Sequence, residues 1–265
     1  MKTMQMKPNK MLLISFISAL FGLALLVGNA SAKLTVEANH DVVSVNSFYH
    51  GSSVSVKGEC DPGTDLIIKI TAPEHETVLK EKGKAGGILW MNVGELHFDN
   101  TPNLYFLRSS KKVEDLIGAA EADKYILGLP ALKRHIKIEE VGDDAEKAQW
   151  FSELVKYKEQ YKLYSEGSDQ ITFADKDGKH TYYTLFDWPY QAQPGNYKVD
   201  VYAVKDGKVV DTADSKVIVQ QVGAVKYLTA MAKNNGAMYG IVSIIVALVS
   251  GFGAGIIFKG GGGSH

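Results

Sequence analysis

The chain has 265 residues, 29 Lys and Arg against 30 Asp and Glu, a formal net charge of −1 and a single cysteine. A near-neutral balance without a dense Lys/Arg stripe argues against nucleic acid as a partner, because phosphate recognition needs concentrated positive charge. With Cys60 alone, no internal disulfide can form, so any exported domain must be held by packing.

The N-terminus reads as a secretory signal peptide over residues 1–32. Lys2, Lys7 and Lys10 precede an uncharged apolar run, 11–27, that closes on Ala30-Ser31-Ala32. Cleavage after Ala32 leaves Lys33 as the first mature residue, and a retained signal anchor is the alternative. No cysteine follows the run, so it is not a lipoprotein signal.

Residues 33–221 form the exported region. From 34 to 109 the pattern is β: apolar and polar residues alternate, with strands expected at 34–45, 52–58, 65–72, 77–82, 88–93 and 104–109. Asp61-Pro62-Gly63 and Ala85-Gly86-Gly87 supply turns. Ile68, Ile70, Trp90, Tyr105 and Leu107 are the expected core members. Cys60 is expected to be a half-buried small side chain, with a covalent partner or reactive thiol as the alternative, and the adjacent Asp61 counts against a reactive thiolate.

The period then changes. A helical insertion is expected at about 111–165, as a hairpin of two helices at 113–128 and 145–164, with Ser110 as the first N-cap and Asp143-Asp144 opening the second. β signals return at 171–174, 181–188, 197–204 and 209–219, and Lys205-Asp206-Gly207-Lys208 is a strong hairpin turn. Pro194-Gly195-Asn196-Tyr197 resembles the turn and tyrosine at the head of a late immunoglobulin strand. The fold class expected is therefore mainly β: an immunoglobulin-like β-sandwich interrupted by a helical hairpin, with two separate β domains as the alternative.

After a mildly amphipathic juxtamembrane segment, 222–236, residues 237–258 carry no charge over about 22 positions, which reaches about 33 Å as a helix and spans a hydrocarbon core. One C-terminal transmembrane helix follows, running outside to inside, with a short tail, 259–265, that looks like a linker and tag remnant. Within it, Gly236, Gly240, Gly251 and Gly255 are the candidate contacts for a partner helix, because small residues allow close backbone approach in lipid.

Three stretches carry a family resemblance: Lys84-Ala85-Gly86-Gly87-Ile88-Leu89-Trp90-Met91-Asn92-Val93, Asn103-Leu104-Tyr105-Phe106-Leu107-Arg108-Ser109-Ser110, and Pro194-Gly195-Asn196-Tyr197-Lys198-Val199-Asp200-Val201-Tyr202. In this order, and with the terminal helix, they resemble the uncharacterised putative transmembrane protein family first described from alpha-proteobacteria. The resemblance implies an exported β domain in the inner membrane of a Gram-negative bacterium, with the bulk of the chain in the periplasm. It also implies a neighbouring permease of the sulfite-exporter type as a membrane partner. It supplies no catalytic residues.

Catalytic and metal motifs are not found in the sequence. His40, Asp41, His50, His75, His97, His135 and His180 form neither HxH nor HExxH, no serine sits in GxSxG, and Gly83-Lys84-Ala85-Gly86-Gly87 lacks Walker spacing. Glu74-His75-Glu76, Glu139-Glu140 and Asp143-Asp144 read first as solvated loop charge. The aromatic group at Tyr183, Trp188 and Tyr190 is the candidate binding surface, since strand alternation turns Tyr182, Thr184 and Phe186 one way and Tyr183, Leu185 and Asp187 the other. The expectation is a non-enzymatic accessory or binding protein without a cofactor, working with an integral membrane protein or a second copy of itself in the bilayer. The alternative is an envelope enzyme or metal-handling protein with a site around the helical insertion.

Overall fold

The computed structural model describes residues 33–39, 42–139, 141–176 and 179–259. The expected signal peptide, His40, Asp41, Glu140 and the glycine-rich tail lie outside the described residues. The chain divides into 1–33 and 34–265, and everything below concerns the second unit.

Two sheets face each other. One is antiparallel in the order β1 (Glu37–Ala38), β3 (Ser52–Glu59), β11 (Lys179–Trp188), β10 (Thr172–Lys176). The other runs β2 (Val42–Val45), β13 (Lys208–Gln221), β12 (Gly195–Lys205), β4 (Asp65–Thr71), β7 (Tyr105–Ser109), β9 (Tyr164–Ser168), with parallel pairing at β2–β13 and β7–β9. Alternate side chains meet between them: Val54, Val56, Tyr182, Phe186 and Trp188 from the first sheet against Ile68, Ile70, Phe106, Val199, Val201 and Val217 from the second. The expected single strand at 34–45 is two, because β1 pairs with β3 in one sheet and β2 with β13 in the other.

The second sheet is covered on its outer face as well. Ile67, Tyr105, Leu107, Tyr202 and Val204 point away from the sandwich into a second core, closed by helices from the insertion. That double coverage explains why Leu66, Ile67, Ile68 and Ile70 form a nearly continuous apolar run instead of an alternating one. The insertion comprises α1 (Val113–Leu116), α2 (Ala119–Tyr125), α3 (Leu129–His135) and α4 (Asp144–Gln160). Val113, Leu116, Ala122, Leu132, Phe151 and Leu154 face the sheet.

The helix expected at 113–128 is thus two short ones, and a third, α3, follows where a stop was expected. Gly118 takes an extended conformation before α2, and α2 ends on left-handed Ile126 at φ 53°. The Tyr105 hydroxyl fixes that break, donating to the Ile126 carbonyl at 3.0 Å and accepting from the Gly128 N–H at 2.8 Å. Ser110 is no cap: its hydroxyl donates to Asp65 at 2.8 Å. Asp143 does cap α4, accepting from the Glu146 N–H at 2.7 Å.

A third sheet joins β5 (Glu74–Ala85), β6 (Leu89–Pro102) and the short β8 (Lys137–Ile138). Only its root is packed, through Leu96 and Phe98. Trp90, expected in the core, is 66% exposed. The outer half of β6 pairs with β5 alone, so no second layer reaches either face there.

At the C-terminal end β13 passes into α5 (Gly223–Asn234) and α6 (Gly236–Lys259). The Val222 N–H bonds the Val45 carbonyl at 2.9 Å, tying the exit to the sandwich. Asn235 separates the two helices, and its side chain accepts from the Met238 N–H at 3.2 Å. The protein is therefore mainly β with one C-terminal apolar helix.

Candidate functional site

The glycine face of α6 is built by helical spacing. Gly236 and Gly240 are four apart, as are Gly251 and Gly255, and the eleven-residue step from Gly240 to Gly251 closes on three turns, so all four lie along one side. The stretch Gly236–Ile257 is 22 residues long and apolar, and none of it is buried against the rest of the chain. A Cβ added at any of the four glycines would meet nothing within 4 Å. The chain's own fold therefore does not require glycine there, although a mid-helix glycine costs roughly 1 kcal/mol relative to alanine.

Of the three aromatic candidates, the structure brings together two. Tyr183 stands on the outer face of the first sheet, 45% exposed, beside Leu185 at 47%. Trp188 is not a surface residue: it continues the buried series Tyr182, Thr184, Phe186 along β11 and packs edge-on against Phe106 and Tyr197. With Tyr190 it lines an open cleft of about 720 Å³, together with His50, Ser52, Lys162, Asp187 and Gln191. The Trp188 indole N–H and the Gln191 amide oxygen, both buried, have no hydrogen-bond partner. Sequence reasoning missed Lys162 and weighed His50 only as a metal ligand, because they come from the β2–β3 and α4–β9 turns and share no local pattern with Trp188 and Tyr190. The left-handed Gly51, whose Cβ would come within 3.0 Å of the Trp188 carbonyl, was the one local hint of close approach.

The helical insertion holds a smaller pocket of about 260 Å³ among Val113, Ile117, Ala122, Leu127 and Ala131, with Glu114 and Arg134 as its charged members. Histidines are paired off separately. His135 Nε2 lies 2.8 Å from Glu74, His180 Nδ1 lies 2.7 Å from Asp175, and His97 contacts Glu76, which holds its imidazolium above the ordinary range. Among the described residues no three metal-ligating side chains converge.

Cys60, Lys158 and Lys69 are among the titratable groups buried in the body of the fold. Cys60 is 1% exposed, and burial, with Asp61 adding to it, pushes its thiol up to about 11. Lys158 on α4 is held down at about 8 by burial, while its ammonium donates to Asn103 at 3.3 Å. Lys69, on the covered face of β4, is lowered to about 8 by burial against the opposing pull of Asp200, and donates to the Tyr125 carbonyl at 2.5 Å.

Comparison with known families gives a match over residues 33–260 to the model described as "Putative transmembrane protein (Alph_Pro_TM)". Among curated proteins no match is found.

Proposed function

The chain belongs to the putative transmembrane protein family, and from that premise we propose that it is a membrane-anchored accessory or binding protein, not an enzyme, that docks to an integral membrane partner through α6. A permease, or a second copy of this chain, is the class of partner in view. In this reading residues 1–32 are removed on export, the β region lies in the periplasm, and α6 crosses the inner membrane. The sandwich acts as an immunoglobulin-like module. Its facing strand orders, and the Tyr197 hydroxyl that donates to the Gln193 carbonyl at 2.6 Å at the head of β12, support that assignment.

The observation that carries the proposal is the glycine face: four glycines that the chain's own packing does not require, aligned on a helix with apolar side chains elsewhere. In lipid such a face permits backbone approach and van der Waals contact between helices. Replacing Gly251 and Gly255 by Leu keeps the helix apolar and blocks that approach. The variant is expected in the membrane fraction as before, but without the membrane protein or homodimer that purifies with the parent in mild detergent. Unchanged associations would reduce α6 to a tether.

A further inference from the structure

The β5–β6 hairpin leaves the body of the molecule beyond Leu79 and Leu96, and no described side chain between Lys80 and Glu95 is buried. Its tip is nevertheless apolar: Ile88 is 90% exposed, Leu89 and Trp90 66%, Val93 53% and Met91 48%. Strand alternation and register sort these residues. Met91 lies opposite Gly83, and Val93 crowds the same glycine, where a Cβ would come within 2.7 Å of its methyl, so Leu89, Met91 and Val93 share one face. Trp90 and Asn92 take the other face, opposite Lys84 and Lys82, and the Lys84 ammonium sits 5.4 Å from the Trp90 ring centre.

The position of the root says what surrounds this tip. The chain leaves β4 at Thr71, which lies opposite Lys198, itself opposite Lys216. That is the same end of the sandwich from which β13 hands the chain to α5 and α6 at Gln221. From this end α5 extends for about 18 Å, whereas a twelve-residue strand reaches about 40 Å. Running on in the direction of β4, a hairpin of that length would reach the bilayer that holds α6. Both of its faces and its turn carry apolar side chains, which suits a medium that envelops the tip better than a surface that covers one side. Tryptophan and lysine side by side match the headgroup boundary, where an indole is amphipathic and ammonium groups meet lipid phosphates.

We infer that the hairpin tip, Ile88 to Val93 with Lys82 and Lys84, is a second membrane contact that inserts into the headgroup region of the leaflet from which α6 emerges. This rests on α6 as the bilayer anchor and not on any partner for its glycine face. The full chain, reconstituted in phosphatidylcholine and phosphatidylglycerol vesicles, is tested with lipids brominated on their acyl chains, which quench tryptophan on contact. Emission should fall with the brominated lipid, and Trp90→Phe should remove that fall, the emission left being that of Trp150 and Trp188. Leu89→Glu with Met91→Glu should likewise release Trp90 from quenching while α6 keeps the protein in the vesicle. Circular dichroism should be unchanged, because the tip supports no other part of the fold. Trp90 emission indifferent to the brominated lipid overturns the inference, as does quenching that persists in the double glutamate variant. Either result would leave the co-purification experiment on Gly251 and Gly255 unaffected.

Discussion

Two apolar stretches with similar sequences meet opposite fates. Leu66 to Ile70 in β4 is covered on both faces, by the first sheet and by the helical insertion, and its apolar side chains are fully buried. Ile88 to Val93 in the β5–β6 tip is covered on neither. Burial here is decided by what the rest of the chain delivers to a strand, not by the strand's own hydrophobicity, and the uncovered stretch is the one for which a bilayer contact is inferred above.

Substitution at matched positions makes the contrast quantitative. Ile68→Ala removes a side chain that is 0% exposed, and denaturant unfolding of the detergent-solubilised chain should show a loss of about 2–5 kcal/mol. Leu89→Ala should change stability by no more than about 0.5 kcal/mol. Comparable losses at both sites would mean that the hairpin tip is packed after all.

The cover can be improved where it buries a charge. The unfolded chain keeps a lysine protonated to about 10.4, whereas Lys158 in the fold is held down at about 8 by burial. Between those values the unfolded state binds more protons, so stability rises with pH, and the cost of the buried ammonium is fully present below about 8. Lys158→Met should add stability on the order of 3 kcal/mol at neutral pH. It should also flatten the rise above pH 8 to what Lys69 contributes, as measured by unfolding across that range.

A smaller effect is expected at the seam between sheet and cover. Tyr105→Phe deletes the hydroxyl that joins the Ile126 carbonyl and the Gly128 N–H, which should cost about 1–3 kcal/mol. Hydrogen exchange should quicken across α2 and the turn into α3, with β4 and β12 unaffected. Uniform quickening would show that cover and sheet unfold as one unit.

What the sequence revealed depended on how local its cause was. The alternation in β11 correctly separated Tyr182 and Phe186 from Tyr183 and Leu185, because one strand carries that information. The Asp206-Gly207 turn was equally plain, and both residues take the positive φ it requires, 51° and 77°. The end of the first helix was placed within two residues of Ile126, but its interruption at Ile117-Gly118 and the further helix Leu129–His135 were hidden, and the hydroxyl that fixes the turn between α2 and α3 comes from Tyr105, 21 residues away. Trp90 was misplaced because an apolar strand looks the same whether or not a layer arrives to cover it. Trp188 was misplaced for a simpler reason: the same alternation, carried two residues past Phe186, puts it in the core. In the candidate site the glycines of α6 were legible from helical spacing, but the cleft was not, as His50 and Lys162 reach it from separate turns.

The route from β13 to α6 also has a mechanical consequence. β13 is hydrogen-bonded to β12 from Gly195 opposite Val219 to Lys205 opposite Lys208, and over its last four residues, Ile218 to Gln221, to β2 on its other side. Tension on the membrane helix enters the sandwich along the axis of that strand. It therefore loads the flanking ladders in shear, so that many hydrogen bonds resist together, whereas a pull across an edge strand would unzip them one pair at a time. The domain is thus fastened to its anchor through a strand whose ladders share the load.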